Sequence, residues 1–183
     1  GTTLKGYFQS PSYFRECEMD LFRALKRVMS NSQADKVGSE NTFTEFTAVH
    51  IRRGDYLNPS TSAFHGICSM NYFESAHNLL MRLGVDQVPL VLTDSPNLVR
   101  LEMEKAGLNW QIFDPEGRLS TMETLAEMAQ ASALIASNSS FSWWAGWLLS
   151  KMKEAPVVAP IPWFNGERSN YDLYLKSWIA LPR

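Results

Sequence analysis

Cysteine is scarce in this chain, with Cys17 and Cys68 the only two among 183 residues. The pair has neither CxxC spacing nor the density of a secreted disulfide scaffold. We therefore expect two reduced thiols that pack as small hydrophobic side chains, in a cytoplasmic setting. A chain of this length can bury a sizeable core without disulfides or metal staples.

Long apolar runs and a surplus of one charge are also missing. The longest runs, at 133–136 and 155–161, are far shorter than the roughly 20 residues of a membrane span, and we expect no signal peptide. The 17 basic and 19 acidic residues give a net charge of −2. This balance argues against general nucleic-acid binding, which needs a broad positive face. Positive charge is therefore expected to act locally.

Several catalytic signatures are absent from the sequence. It contains no GxGxxG, GxxxxGK[ST], HExxH or GxSxG motif, which excludes the best-known dinucleotide, P-loop, zinc-protease and hydrolase patterns. It also lacks the DxD that metal-dependent nucleotide-sugar enzymes typically carry. We therefore expect no metal and no cofactor, and favour charge stabilisation by arginine.

What the chain does contain is a repeated alternation of helical and strand patterns. Periodicity predicts helices at 11–29, 73–83, 98–106, 121–131 and from 141 onward, and strands at 43–51, 88–93, 110–113, 133–136 and 156–159. Segments 31–40 and 58–62 are typical of loops and turns. The alternation predicts an α/β fold, with a Rossmann-like parallel sheet, flanking helices and a ligand crevice at the strand carboxyl ends. We divide it into an N-terminal helical segment, 1–40, packing on a Rossmann-like domain, 41–183.

The strongest local feature is the end of the first strand, in the sequence VHIRRGDY at 49–56. If extension persists, His50 and Arg52 share one face and Arg53 points the opposite way. Guanidinium forks suit phosphate oxygens, so we expect one or both arginines to bind a diphosphate, with His50 donating and Asp55 orienting an arginine. The alternative is a surface pair between Asp55 and Arg53, with His50 as an ordinary strand histidine.

A second cluster of small polar residues opens the helix after the fourth strand. It comprises Ser137, Asn138, Ser139, Ser140 and Phe141. Free backbone N–H groups at a helix N-terminus bind anions, although simple N-capping would use the same residues. The tryptophans that follow, Trp143, Trp144 and Trp147, have the helical spacing of a packed core, with sugar stacking as the alternative.

Other polar residues support less specific interpretations. Asp94 ends a strand and could contact a ribose or a base, but Asp-Ser-Pro is also an ordinary helix start. We expect Asp114 and Glu123 to lie on solvated faces. His65 and His77 are isolated in sequence and are expected at the surface.

The chain resembles the α-1,2-fucosyltransferase family, particularly its bacterial members. The resemblance rests on HxRRxD at 50–55 and on NSSFSWWAGWL at 138–148, and it extends through GYFQS at 6–10, LTD at 92–94 and PWF at 162–164. It implies a GT-B type fold and metal-free, inverting transfer of L-fucose from GDP-β-L-fucose to the 2-hydroxyl of a galactose-terminated glycan.

The resemblance also implies residue roles. Arg52 and Arg53 would stabilise the departing GDP, His50 and Asp55 would assist them, and Asp94 and the 137–141 cluster would line the nucleotide. Thr124 stands where related enzymes often carry an aspartate that can read guanine. No residue is identified as the base that the acceptor hydroxyl needs.

Family members carry a substantial segment before GYFQS, so we expect this chain to be the donor-binding half of a longer bacterial, cytoplasmic enzyme. The segment outside this chain is also where a peripheral membrane contact is expected. Two other functions stay open: a non-catalytic nucleotide- or glycan-binding module, and a structural α/β domain whose arginines only pair with acids.

Overall fold

A six-stranded parallel sheet organises the chain in a computed structural model that describes residues 3, 5–34, 45–166 and 171–183. The strands are β1 (Thr47–Ile51), β2 (Pro89–Thr93), β3 (Gln111–Ile112), β4 (Ala133–Ile135), β5 (Val157–Ile161) and β6 (Ile179–Pro182). Their order is β3-β2-β1-β4-β5-β6, and every neighbouring pair is parallel. This is the Rossmann order, so the predicted fold class is confirmed. The order reverses between β1 and β4.

Helices connect the strands and cover both faces of the sheet. They are α1 (Glu18–Ala34), α2 (Pro59–His65), α3 (Met70–Arg82), α4 (Pro96–Ala106), α5 (Thr121–Gln130) and α6 (Ser140–Lys153). Local chemistry explains several of their ends. Ser69 and Ser139 accept hydrogen bonds from the first turns of α3 and α6, and Ser120 forms a capping box with Glu123 at α5. Gly107 ends α4 with φ +71°, a left-handed conformation that favours glycine.

The core lies on both faces of the sheet because side chains alternate along each strand. Ala48 and Leu134 face a cluster formed with α1, α5 and α6, whereas Val49 and Ile135 face a cluster formed with α3 and α4. Trp143 and Trp147 are fully buried in the first cluster, and Trp144 is partly buried. Core packing is therefore confirmed for Trp143 and Trp147.

The N-terminal helix differs in phase from its prediction. Residues 11–17 form two short 3-10 turns, Pro11–Tyr13 and Arg15–Cys17, before α1 begins. Because 3-10 turns advance three residues per turn, the apolar stripe rotates: Cys17 is exposed and Val28 is 48% exposed, whereas Met29 is buried. The expectation of a buried thiol is wrong for Cys17 and right for Cys68, which is 1% exposed.

Two elements were not predicted. The turn-rich segment 58–62 opens α2, since Asn58 is the N-cap residue and Pro59 is the first helical residue, a position that proline tolerates well. The strand β5 is not the last, because β6 pairs alongside it. The predicted loop 31–40 begins as the end of α1, and its residues 35–40 lie outside the described residues, as do 43–44 of the first predicted strand.

Candidate functional site

A cavity of about 430 Å³ lies at the carboxyl edge of the sheet, around the point where β1 and β4 part. Open α/β sheets bind ligands at this place. The structure brings nine of the eleven predicted site residues to its wall: His50, Arg52, Asp55, Asp94, Thr124, Asn138, Ser139, Ser140 and Phe141. Arg53 and Ser137 are not among the lining residues.

Arg52 is the cation that faces the cavity, and two carboxylates hold it there. Its Nη2 donates to Asp55 Oδ1 at 2.6 Å, and its Nη1 lies 2.8 Å from Asp94 Oδ2. Its guanidinium also lies 5.8 Å from the ring centre of Tyr56, within the range of a cation–π contact. The side chain keeps 33% of its area exposed. A fixed and accessible guanidinium of this kind is suited to binding an anion.

Arg53 occupies a different environment. Its side chain is 3% exposed, and its Nε donates to Glu102 Oε2 at 2.7 Å, on α4. Nη1 donates to the backbone carbonyl of Arg52. Consecutive residues at a strand end point to opposite sides, so Arg52 reaches the cavity and Arg53 does not line it. Of the expectation that one or both arginines bind a diphosphate, this placement favours one. The alternative pair between Asp55 and Arg53 does not form either, since Asp55 pairs with Arg52.

His50 is buried in β1, and serines hold its ring. Nδ1 lies 3.0 Å from Ser137 Oγ and also contacts Ser142 Oγ. Burial, with the Arg52 charge as a smaller cause, lowers the pKa of His50 to about 3. The imidazole is therefore neutral near pH 7. Ser137 orients this ring from behind and does not line the cavity.

Asp94 joins the ends of β1 and β2. Besides pairing with Arg52, it accepts the backbone N–H of Arg53 through Oδ1 at 2.9 Å. A Cβ on Gly54 would meet Asp94 Oδ2 at 2.3 Å, so this position requires glycine. Asp94 therefore fixes the loop that carries Arg52, and both of its oxygens are engaged in doing so.

The N-terminus of α6 forms another part of the cavity wall. Ser139 Oγ accepts the N–H of Phe141 at 3.2 Å, so it acts as the N-cap. Ser140 and Phe141 line the cavity. The positive end of the helix dipole thus faces the same space as Arg52.

Asn138 acts mainly as a structural link. Its Nδ2 donates to the carbonyls of His65 (2.6 Å), Gly66 (3.3 Å) and Trp163 (3.1 Å). Its Oδ1 accepts from Cys68 Sγ at 3.4 Å, and its own carbonyl accepts from Tyr56 Oη at 2.8 Å. With these bonds the amide holds three loops together at the base of the site.

The remaining wall comes from the loop after β3 and the start of α5. Thr124 lines it, and its Oγ1 donates to the Ser120 carbonyl at 3.0 Å. Asp114 also lines the cavity, with Oδ2 accepting the Leu119 N–H at 2.7 Å. The expectation that Asp114 lies on a solvated face is therefore wrong. Its position after a predicted strand is the signal that identifies it.

Sequence reasoning missed several other wall residues, namely Tyr7, Gln9, Tyr56, His65 and Trp163. Tyr56 could have been found, since it closes the same VHIRRGDY segment as the arginine pair. His65 was expected at the surface, yet its ring stacks on Tyr56 with centroids 4.9 Å apart. No local pattern marks His65, whereas Trp163 belongs to the PWF motif of the resemblance, and tertiary packing brings both residues to the cavity.

The described residues contain neither a metal-binding cluster nor a membrane-spanning helix. No group of three or more His, Cys, Asp or Glu side chains among them is placed to hold a metal ion. None of the helices in the described part of the chain is long and apolar enough to cross a membrane.

A Rossmann-ordered sheet, with an arginine and a helix N-terminus facing one crevice, is the arrangement of α/β domains that bind phosphorylated ligands. Comparison with known families agrees with this class. The sequence pattern of glycosyl transferase family 11 matches residues 3–182. The chain belongs to that family, which confirms the resemblance seen in its motifs.

Individual relatives share about a third or less of their aligned residues with this chain. The chain is 33% identical to the O-antigen biosynthesis glycosyltransferase WbnK of Escherichia coli, over 99% of this chain and 61% of the relative. It is 28% identical to an alpha-1,2-colitosyltransferase of the same organism, over 97% and 62%. It is 29% identical to a galactoside 2-alpha-L-fucosyltransferase of Caenorhabditis elegans, over 78% and 41%. The chain thus spans about three fifths of the bacterial relatives.

Among solved structures, POFUT1 in complex with GDP-fucose aligns with a TM-score of 0.43 and 13% identity. The alignment covers 79% of this chain and 46% of that one. A likeness this distant supports no argument about the site.

Proposed function

We propose that this chain is the donor-binding part of an inverting glycosyltransferase that moves L-fucose from GDP-β-L-fucose to the 2-hydroxyl of a galactose-containing glycan. The observation that carries the proposal is that Arg52 and the N-terminus of α6 line one cavity, at the point where the strand order reverses. Membership of family 11 and the names of the relatives support the choice of reaction.

The proposed step needs stabilisation of a leaving diphosphate. The bond between the sugar C1 and the phosphate oxygen breaks, the acceptor oxygen bonds to C1 from the opposite face, and the hydroxyl proton passes to a base. The electron pair of the broken bond stays on GDP, so negative charge grows there. Arg52 and the backbone N–H groups of α6 are fixed in place to stabilise it. Asp55 and Asp94 position Arg52 in advance.

Neutral His50 fits a supporting role in this scheme. With Nδ1 held by Ser137 and Ser142, the ring has a fixed orientation, and Nε2 is the nitrogen left for a ligand. A lowered pKa makes this histidine a poor proton acceptor near pH 7. We therefore assign it to hydrogen bonding with the donor and not to removal of the acceptor proton.

Two variants of the proposal follow from specific observations. The relative named as an alpha-1,2-colitosyltransferase favours colitose as an alternative donor sugar. The cavity supplies groups that can hold a donor, and no base for the acceptor hydroxyl is assigned among its described residues, which favours a second candidate function: a module that binds a sugar nucleotide without catalysing transfer. Both keep the same donor site.

The transfer assay uses the full-length protein with GDP-fucose and lactose, and detects 2′-fucosyllactose by mass spectrometry. Arg52→Ala should abolish product formation and weaken GDP binding about 10- to 100-fold, the loss expected for charge-assisted hydrogen bonds. Arg100→Ala, an exposed arginine on α4, serves as the matched control and should leave both unchanged.

Calorimetry on this chain separates the two candidate functions. Binding of GDP in preference to UDP and ADP, together with product from the full-length protein, supports the transferase. Binding of the nucleotide without product from the full-length protein favours the binding module. If no nucleoside diphosphate binds, the donor site itself is rejected.

A further inference from the structure

The N-terminal segment brings a neutral amide to the cavity that the proposed chemistry has not used. Gln9 lines the cavity and is 9% exposed. Its Nε2 is buried and has no hydrogen-bond partner in the part of the chain that the structure describes. A buried donor without an acceptor lowers stability. Such groups are rare in folded proteins and call for an explanation. For a residue that lines a ligand cavity, a hydrogen-bond partner carried by the ligand is one explanation.

The backbone around Gln9 is fixed on both sides. Before it, the carbonyl of Tyr7 accepts from Trp144 Nε1 at 3.2 Å, which ties the segment to α6. After it, Ser10 is 4% exposed and its Oγ accepts the Ser12 N–H. These contacts therefore hold the backbone of Gln9 beside the cavity.

Phe8, directly before Gln9, adds a second observation. Its φ is +49°, a left-handed conformation that is unfavourable for a bulky side chain. Backbone strain of this kind persists when surrounding contacts hold it in place, and it clusters at ligand sites. Here the strained residue directs the next side chain toward the cavity.

The chemistry of an amide suggests what it contacts. Arg52 and the N-terminus of α6 already supply positive charge for a phosphate. An amide is uncharged and offers both a donor and an acceptor, which matches a hydroxyl group that can accept and donate in turn. We propose that Gln9 hydrogen-bonds a hydroxyl of the donor sugar and thereby selects the sugar that the nucleotide carries. This inference rests on the proposed sugar-nucleotide function.

The test measures, for each variant, the dissociation constants of GDP and of GDP-fucose by calorimetry on this chain. Gln9→Met keeps the approximate shape and removes the amide. Gln9→Asn keeps the amide but withdraws it by one methylene. Each should weaken GDP-fucose binding about tenfold, the usual effect of one lost hydrogen bond at a buried site. Each should leave GDP binding within about twofold of wild type.

Stability supplies a second readout. Because Gln9→Met keeps the approximate shape and removes an unpaired donor, its ligand-free melting temperature should equal or exceed that of wild type, whereas loss of an amide that makes a structural hydrogen bond would lower it. Gln87→Met is the matched control, since Gln87 also has a buried amide atom, Oε1, without a partner among the described residues, but lies outside the cavity wall. It should leave the affinities for both ligands unchanged.

Three results would overturn the inference. Equal loss of GDP and GDP-fucose affinity would place the contact on the nucleotide and not on the sugar. Unchanged GDP-fucose affinity in both Gln9 variants would remove the contact altogether. Failure of the wild-type chain to bind either ligand would reject the proposed function and this inference with it, whereas the first two results leave the proposed function intact.

Discussion

Two adjacent arginines, Arg52 and Arg53, lie in different environments. Arg52 is one-third exposed and faces the cavity, whereas Arg53 is buried against Glu102. Desolvating Arg53 is costly, and its ion pair offsets that cost only while both partners are present. The same residue type therefore lines the cavity at one position and holds the loop at the next.

This difference predicts opposite phenotypes for the two alanine variants. Arg53→Ala leaves Glu102 partly buried without its partner, so the free energy of unfolding should fall by about 2 kcal/mol, below the range for a fully buried pair because Glu102 is partly exposed. Urea denaturation measures this change. Affinity for GDP should fall less in Arg53→Ala than in Arg52→Ala.

A double variant provides the check on this assignment. Arg53→Ala combined with Glu102→Ala should lower the free energy of unfolding by less than the sum of the two single changes, because the second change removes the unpaired Glu102 carboxylate. Additive costs, or a GDP loss in Arg53→Ala equal to that in Arg52→Ala at unchanged stability, would contradict the assignment of Arg53 to the loop.

At this scale the sequence reveals residue types but not all of their environments. The alternation along β1 correctly separates the faces of Arg52 and Arg53, because strand geometry is local. The bonds from His50 to Ser137 and Ser142 join residues more than 80 positions apart. No local periodicity encodes such a contact, so the orienting role of Ser137 appears only once β1 and β4 are paired.

Among elements, the start of α6 and the end of α2 depend on one amide. Asn138 precedes α6 and donates to three carbonyls in two other loops. It thereby links the N-terminus of α6 to His65 at the end of α2, and its backbone carbonyl accepts from Tyr56 Oη. The N-cap chemistry of α6 was predictable from its serines, whereas α2 was missed because proline and serine are as common in turns as in first helical turns.

Removing that amide should loosen several elements together. Asn138→Ala leaves the carbonyls of His65, Gly66 and Trp163 without this donor, and the free energy of unfolding should fall by about 3 kcal/mol, the scale of buried unsatisfied groups. Urea denaturation provides the value. GDP affinity should also fall, since the cavity wall moves.

The matched control is Asn97→Ala, because Asn97 is exposed on α4 and its Oδ1 accepts a hydrogen bond from the exposed Arg100. It should change the free energy of unfolding by no more than about 0.5 kcal/mol. If Asn138→Ala behaves like this control, the amide does not hold the loops.

For the whole molecule, the strand order determines where the cavity lies. The position of each strand in that order was not predictable from the sequence. Alternating helices and strands predicted a parallel sheet because βαβ units impose it, but a strand's neighbour depends on long-range packing. β6 illustrates the limit: the described residues of the connection before it, 162–166 and 171–178, contain no α-helix, so no periodic signal in them announced it.

The division of the chain into a segment 1–40 and a domain 41–183 makes a prediction at the same scale. Phe14, from the N-terminal segment, packs among Trp143, Trp144 and Trp147 with ring centroids 5.3–6.4 Å apart. It belongs to the same core cluster as β4 and α6. Because this core is shared, the segment and the sheet should unfold as one cooperative unit.

Phe14→Ala tests that cooperativity, because a cavity left by a deleted phenylalanine typically costs about 3–5 kcal/mol. Tyr13→Ala is the matched control, since Tyr13 is 70% exposed and should cost little. Tryptophan fluorescence and far-UV circular dichroism should give coincident transitions in both variants, shifted to lower urea only in Phe14→Ala. Separate transitions would show that the segment folds independently of the sheet. In that case Gln9, which this segment carries into the cavity, would not be held there by the core.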